Sequence, residues 1–521
     1  MTGQHSTSAP LEAVQDPTDA TAGRQTVAAR DRFPGGRVLW VSWAVLFFLC
    51  ATWVLANPLM ASPDEPAHVV KAAAVVRGQW TGTDVHGGSL VQVPYYYNLS
   101  TGYPICYMFR PETPGNCHPV AAHNLDETQA AVTPAGRYNP LYYLLVGLPT
   151  LLPSSDAVLY AMRLLSAALC TLFLALGLRA VAEAPRPGWG VVGATVAITP
   201  MVVFLSSTVN PAAIEIAAGF SLWCQLLTLL RHWDRSQVAR RMAWIAVTGV
   251  VFANARGLSL LYCALIVATV LVVSPWRAFV DTIRTRSTWP SFAAIVLGCV
   301  AALAWVLGSN SLGTGSTIVD AGLTFRTAAV LTIGATSTYL TNMIGQFGWM
   351  DTDLSTWVQL CFAAIISLTI LLAAAVATRR ERLGLLAVTA ATLAVPIVVQ
   401  ASQATHLGIV WQGRYMLPIA VGIPVVAGAI TASRATLLPA ELGRRLAGIV
   451  GVTTALLLFV AYIENLHRYV NGVSGSWLYL RPDAWIPPVP LPLSGALGLA
   501  AVVAYAALVR WIAARPDRAA R

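Results

Sequence analysis

The stretch "NPLMASPDEPAHVVKAAAVVRGQW", Asn57–Trp80, begins where an apolar run of hydrocarbon length ends. Asp64, Glu65, His68 and Lys71 follow at once. If a helix starts near Pro63, then Asp64, His68 and Lys71 stand at i, i+4 and i+7 and share one face. Proline in a first turn and acids beside a helix N-terminus also suit a plain capped helix at a membrane surface. The stretch therefore carries two readings: a helix start, or a reactive cluster on the rim of a membrane domain.

The rest of the chain decides what kind of rim this is. With 521 residues, 56% of them hydrophobic, 11% charged and a mean hydropathy of +0.63, an ordinary soluble protein is excluded. Repeated apolar runs of about 20 residues define an all-α polytopic membrane protein. The formal net charge of +10 sits largely in short arginine-bearing loops between spans, the signal of a cytoplasmic face, so no nucleic-acid partner is implied. Lys71 is the only lysine, and arginine is the default cation everywhere else. Six of the eight cysteines lie in apolar spans and read as small buried hydrophobes. The other two, Cys106 and Cys117 in "CYMFRPETPGNC", lie in a polar loop where a disulfide is expected rather than a metal site.

The expected organisation is a disordered cytoplasmic tail (1–37), one transmembrane domain (38–513) and a short cytoplasmic tail (514–521). Arginines before the first span put the N-terminus inside. A long first extracytoplasmic loop (61–138) follows, then "NPLYYLLVGLPTLLP", too short to span and expected to lie at the outer surface. The spans alternate to about twelve, with a second extracytoplasmic segment at 308–355 and both termini cytoplasmic.

Under that topology the unusual polar residues converge on the outer face. Beside Asp64, Glu65, His68 and Lys71 these are Arg137, Asn210 and Glu215 in "VNPAAIEIAAG", and Arg256 in "FANARG". Trp349 and Asp351 in "GQFGWMDTD" and Gln412, Arg414 and Tyr415 in "WQGRYMLP" complete the set. Ionisable groups at membrane depth are costly and are kept for a partner or a task. A carboxylate at such a rim, flanked by arginines and aromatics, suits glycosyl transfer from a lipid-linked phosphosugar: the carboxylate takes the acceptor proton and a cation holds the departing phosphate. The same groups would also suit a transporter or flippase for a lipid-linked intermediate, although no two-fold repeat is evident.

"SPDEPAHVVKAAAVVRGQW", "NPLYY", "VNPAAIEIA", "FGWMDTDL" and "QGRYMLP" resemble, in order, the motifs of a bacterial membrane-protein family known as domain of unknown function 2142. The resemblance runs from about Val38 to Pro418. That family in turn resembles the C-type (GT-C) glycosyltransferases, whose first external loop bears a catalytic acid just after the first span. The resemblance implies a GT-C-like bundle at the bacterial plasma membrane and an inverting enzyme. It would use a polyprenyl-phosphate-linked sugar and an envelope glycan or lipid acceptor. It puts Asp64 or Glu65 at the acid position and leaves their order open. Asn139 departs from the family-like helix start, and the large C-terminal domain of some relatives is not expected here, which leaves the acceptor open. A non-catalytic partner keeping the fold is a third reading.

Each assignment has a plain counterpart. Asp64 would otherwise be a helix N-cap. His68 and Lys71 would bind phosphate, or be a surface-helix residue and a headgroup anchor respectively. Arg414 and Tyr415 would face phosphate, or anchor the span with Trp411. Asp351 would serve the acceptor or a turn. Asp64 and Glu65 together would suit Mg²⁺ or Mn²⁺, but no ligand set is complete and no cofactor is certain.

Overall fold

The first span, α1 (Gly36–Leu55), stops just short of Pro58, which has no amide to continue a helix. Asn57 seals the end: its Nδ2 donates to the Trp53 carbonyl at 2.6 Å, and Asn465 donates to its Oδ1 at 2.9 Å. The structure is a computed structural model that describes residues 36–117, 119–311, 323–434 and 436–515. The tails expected at 1–37 and 514–521 fall almost wholly outside the described residues.

The long loop after α1 is a folded unit. Helix α2 (Glu65–Val75) packs on an antiparallel sheet of β1 (Thr83–Val85), β2 (Gly88–Pro94) and β3 (Thr128–Thr133), in the order β1-β2-β3. Val91 stands opposite Ala131, and Val91 and Val93 are buried, the period-two pattern of a half-buried strand. Helix α3 (Tyr95–Ser100) follows β2, and the bonded Cys106–Cys117 pair closes the next turn, as the sequence suggests. Helix α4 (Pro140–Val146) and the 3-10 turn Leu148–Leu151 leave Leu144, Leu145, Leu148 and Leu151 exposed. That greasy face fits a segment lying along a membrane interface.

The bundle continues with α5 (Asp156–Ala182), then α6 (Pro187–Ala197) and α7 (Pro200–Ser206), bent by 68° at Pro200, then α8 (Pro211–Arg231). Helices α9 (Val238–Ala253) and α10 (Ser259–Val273) form the expected hairpin. Helix α11 (Trp276–Arg284) then turns off by 116°. After α12 (Trp289–Gly308) come α13 (Phe325–Gly334), α14 (Thr336–Gly345) and a two-residue ladder of β4 (Gln346–Phe347) with β5 (Thr352–Asp353). Helices α15 (Thr356–Val376), α16 (Arg379–Leu407), α17 (Leu417–Ala420), α18 (Gly422–Ala432), α19 (Ala440–Asn471) and α20 (Leu491–Ala513) complete it.

Among the described residues, nine helices are long and apolar enough to cross a membrane, or eleven if each bent pair is one span. The remainder of the expected twelve is α9, whose 16 residues rise only about 24 Å, short of a hydrocarbon core of roughly 30 Å. Helix α8 is central, with 94% of its apolar window buried, whereas α12 is peripheral at 11%. The short turn before α17 passes hard against α14. A Cβ on Gly413 would stand 2.1 Å from the Tyr339 carbonyl oxygen, so only glycine lets the next residue, Arg414, reach inward there.

Candidate active site at the rim of the bundle

Asp64 occupies the position before α2 but does not cap it. Its backbone is left-handed (φ +65°, ψ −4°) and its carboxylate makes no bond to the helix N-terminus. A non-glycine residue held in this region carries strain that its surroundings must enforce. The carboxylate is turned instead toward Arg414, whose Nη2 donates to Oδ2 at 2.6 Å. The Asp64 side chain is 51% exposed and that of Arg414 only 3%. Among the described residues, Nε and Nη1 of Arg414 have no hydrogen-bond partner. Burial pushes the Asp64 carboxyl up, but the charges of Arg414 and Arg256 and the Arg414 hydrogen bond outweigh it and hold it below its ordinary value.

Aromatic rings bind the cations together. The Arg256 guanidinium lies 4.7 Å from the centre of the Tyr415 ring, and that of Arg414 lies 5.4 Å from it. Glu215 partly balances Arg256 at 3.5 Å and accepts from Ser259 Oγ at 2.7 Å.

Two cavities meet here. One, of about 1140 Å³, lies between Asp64, Asp84, the Gly87–Gly88 turn and Arg137. The other, of about 1030 Å³, holds Arg256 and is walled by Ala302 and Val306 of α12 and Val399 and Leu407 of α16. Tyr138, Leu407, Val410 and Tyr415 line both, so a thin partition separates the carboxylate side from the apolar side.

Several residues expected at this site are employed elsewhere. Glu65 does not face the cavity. It is 1% exposed, and Arg163 grips both its oxygens at 2.7 and 2.6 Å while the Val209 amide donates to Oε1 at 3.0 Å. With both oxygens engaged and no surface in the cavity, Glu65 sits as a structural anchor between α2, α5 and the loop before α8. Nor do the adjacent acids form a metal pair, because Asp64 and Glu65 turn to different arginines. Among the described residues, no three His, Cys, Asp or Glu side chains are grouped to hold a metal ion.

Lys71 also points away from phosphate. Fully buried, it donates to the Trp80 and Gly136 carbonyls and ties α2 to the two ends of the sheet unit, and burial pushes its amine down to about 7. His68 lines the Asp64 cavity and its Nδ1 shares a hydrogen bond of 2.8 Å with the Tyr143 hydroxyl. Burial, aided by Arg256 and Arg414, pushes it down to about 3 despite Asp64, so it is a neutral ring and not a phosphate-binding cation. Asn210 caps α8 through the Ala212 amide at 2.9 Å and holds the Pro63 carbonyl at 3.3 Å. Asp351 pairs with Arg468 at 3.1 Å and shapes its own turn, and Trp349 Nε1 donates to the Met60 carbonyl at 3.1 Å. Trp349 thus braces the loop preceding Asp64 from behind, and Asp351 accepts from the Trp349 amide.

Gln412 and Arg414 line a smaller cavity beside Pro63, where Gln412 Oε1 is buried and unpartnered among the described residues. Arg137 stands in the Asp64 cavity, paired with Asp84. Asp84 was not foreseen, since a lone acid in a short strand carries no sequence signal.

These features define a class: a multi-pass α-helical membrane protein with a charged cleft at one rim and an apolar cleft beside it. The chain belongs to the family of predicted membrane proteins DUF2142, whose model matches residues 47–423. No curated protein matches it. Among solved structures, ArnT from Cupriavidus metallidurans bound to undecaprenyl phosphate is similar at a TM-score of 0.44 and 12% identity, over 94% of this chain and 79% of that one.

Proposed function

We propose that this protein is an integral-membrane glycosyltransferase of the bacterial plasma membrane. It moves a sugar from a polyprenyl-phosphate donor to an envelope glycan or lipid on the extracytoplasmic face. The observation that carries the reading is the pair of adjoining cavities. A half-exposed, ionised Asp64 stands in one, and an arginine lies in the other between lipid-facing helices. The family resemblance of the motif series agrees with it.

In this reading the polyprenyl chain lies against α12 and α16 and its phosphate meets Arg256. The acceptor hydroxyl arrives on the Asp64 side. Its oxygen attacks the anomeric carbon while Asp64 takes its proton, and the carbon–oxygen bond to phosphate breaks. Polyprenyl phosphate leaves with the electron pair, and the anomeric centre inverts. Arg414 keeps Asp64 ionised and aimed. The partition at Tyr138 and Tyr415 is where the two substrates meet.

The test is direct. Purified full-length protein is supplied with labelled polyprenyl-phosphate sugars and envelope acceptors, and product is followed. Turnover that requires Asp64 supports the reading. Turnover that survives Asp64→Asn removes the proposed mechanism, and translocation in liposomes without covalent product replaces it with transport.

A further inference from the structure

At the other end of the bundle, α5, α8 and α9 surround a narrow cleft. Three guanidinium groups there share one carboxylate. Glu183 meets Arg179 Nε at 3.2 Å, Arg240 Nη2 at 3.4 Å and Arg241 Nε at 3.5 Å. The side chains of Arg179, Arg241 and Glu183 are each 10% exposed or less. Three cations touch one anion here, and Asp234 in the next loop acts on Arg240 and Arg241 only through space, so the cluster keeps a net positive charge in a largely buried place, an arrangement that costs stability unless an anion joins it.

The remaining contacts supply no such anion. Arg241 Nη1 goes to the His232 carbonyl at 2.6 Å, and Arg240 Nη2 to Gln237 Oε1 at 2.6 Å. Arg179 lies over the Trp244 ring at 5.2 Å. Asp234, in the following loop, bonds its own Ser236 and acts on Arg241 and Arg240 through space without an ion pair to either. In the cleft wall, Gln225 is 6% exposed and its Oε1 has no partner among the described residues, while Nε2 donates to the Ser221 and Thr248 hydroxyls. The other basic junction at this end is closed instead: Glu381 takes Arg231 and Arg434, and Arg231 also binds Ser433 and the Val273 carbonyl.

The remaining wall is apolar, formed by Leu176, Ala180 and the Trp244 ring. A cationic mouth beside an apolar wall between spans suits a molecule with a phosphate head and a hydrocarbon tail. Along α5, Arg179 lies 16 residues, roughly 24 Å, from Arg163 at the outer end, which puts the cleft in the opposite leaflet. We infer that this cleft binds the phosphate of an anionic phospholipid of the inner leaflet. The inference does not rest on glycosyl transfer.

Purified full-length protein in detergent is titrated with phosphatidylglycerol, phosphatidylcholine or inorganic phosphate while its melting temperature is followed. Phosphatidylglycerol alone raises it. Replacing two arginines, Arg240→Gln with Arg241→Gln, weakens its apparent affinity roughly 30-fold, and Arg277→Gln on the exposed α11 leaves it unchanged. An equal response to phosphatidylcholine or to inorganic phosphate, or a double variant that responds as wild type, overturns the inference. If the double variant does not fold, Arg240→Ser replaces it, since that side chain is 30% exposed. A loss of about fivefold is then expected, and no loss overturns the inference.

Discussion

Arg414 reaches across 350 positions of sequence to donate to Asp64 at 2.6 Å. This bond joins the loop after the first span to the turn before α17, and it replaces the helix cap that Asp64 would otherwise make. Removing either partner therefore acts on orientation and charge together.

Asp64→Asn is expected to lower glycosyl transfer by roughly 10²- to 10⁴-fold with little change in melting temperature. Asparagine tolerates the left-handed backbone, and its amide oxygen still accepts from Arg414. Product formation and thermal unfolding, measured on the same preparation, separate the two effects.

Glu65→Gln has a different signature. It leaves Arg163 buried without its counter-charge, which costs about 3–5 kcal/mol, and the yield of folded protein falls. Glu65→Leu combined with Arg163→Met restores folding toward wild type, and turnover per folded molecule returns with it. A rescued protein that is folded and inactive would return Glu65 to the chemistry.

The pH dependence of kcat/KM follows from Asp64. Its carboxyl lies below the ordinary value, so the reactive carboxylate persists on acidification and is lost only as pH falls through that depressed pKa. The acid limb is expected on the acid side of an ordinary aspartate's. Arg414→Gln removes the opposing charge while burial remains, so the limb in its residual activity moves upward. A limb that stays put would detach Arg414 from Asp64.

Stability against pH reports on His68. Folding holds its pKa at about 3, whereas the unfolded ring titrates near the ordinary 6.5. Between these values the unfolded chain binds the extra proton, so folding loses stability as pH falls from 6.5 toward 3. Melting temperatures of wild type and His68→Gln, compared at pH 7 and pH 5, are expected to converge if wild type is the more stable at pH 7.

Much of the fold is legible in the sequence because hydrocarbon length and loop arginines are coarse, robust signals. The gathering of Asp64, Arg256, Arg414 and Tyr415 is legible too, as polar groups converging on one rim. What fails is the helical-face argument for Asp64, His68 and Lys71. It assumes that Asp64 is in the helix, but its left-handed backbone takes it out of register, and α2 begins at Glu65. The roles of two adjacent carboxylates were illegible for a related reason. Each direction is set by a distant arginine, at 163 or 414, which local spacing does not reveal. The small sheet was missed because its strands are short and lie in a loop read only for its polarity.

Lys71 is the chain's only lysine and shows no surface. The native fold thus offers amine-directed esters and cross-linkers no side-chain target. Labelling at this position would therefore mark the moment at which α2 parts from the Trp80 and Gly136 carbonyls. The loop after α1 carries its own chemical reporter of opening, readable by peptide mass without any engineered probe.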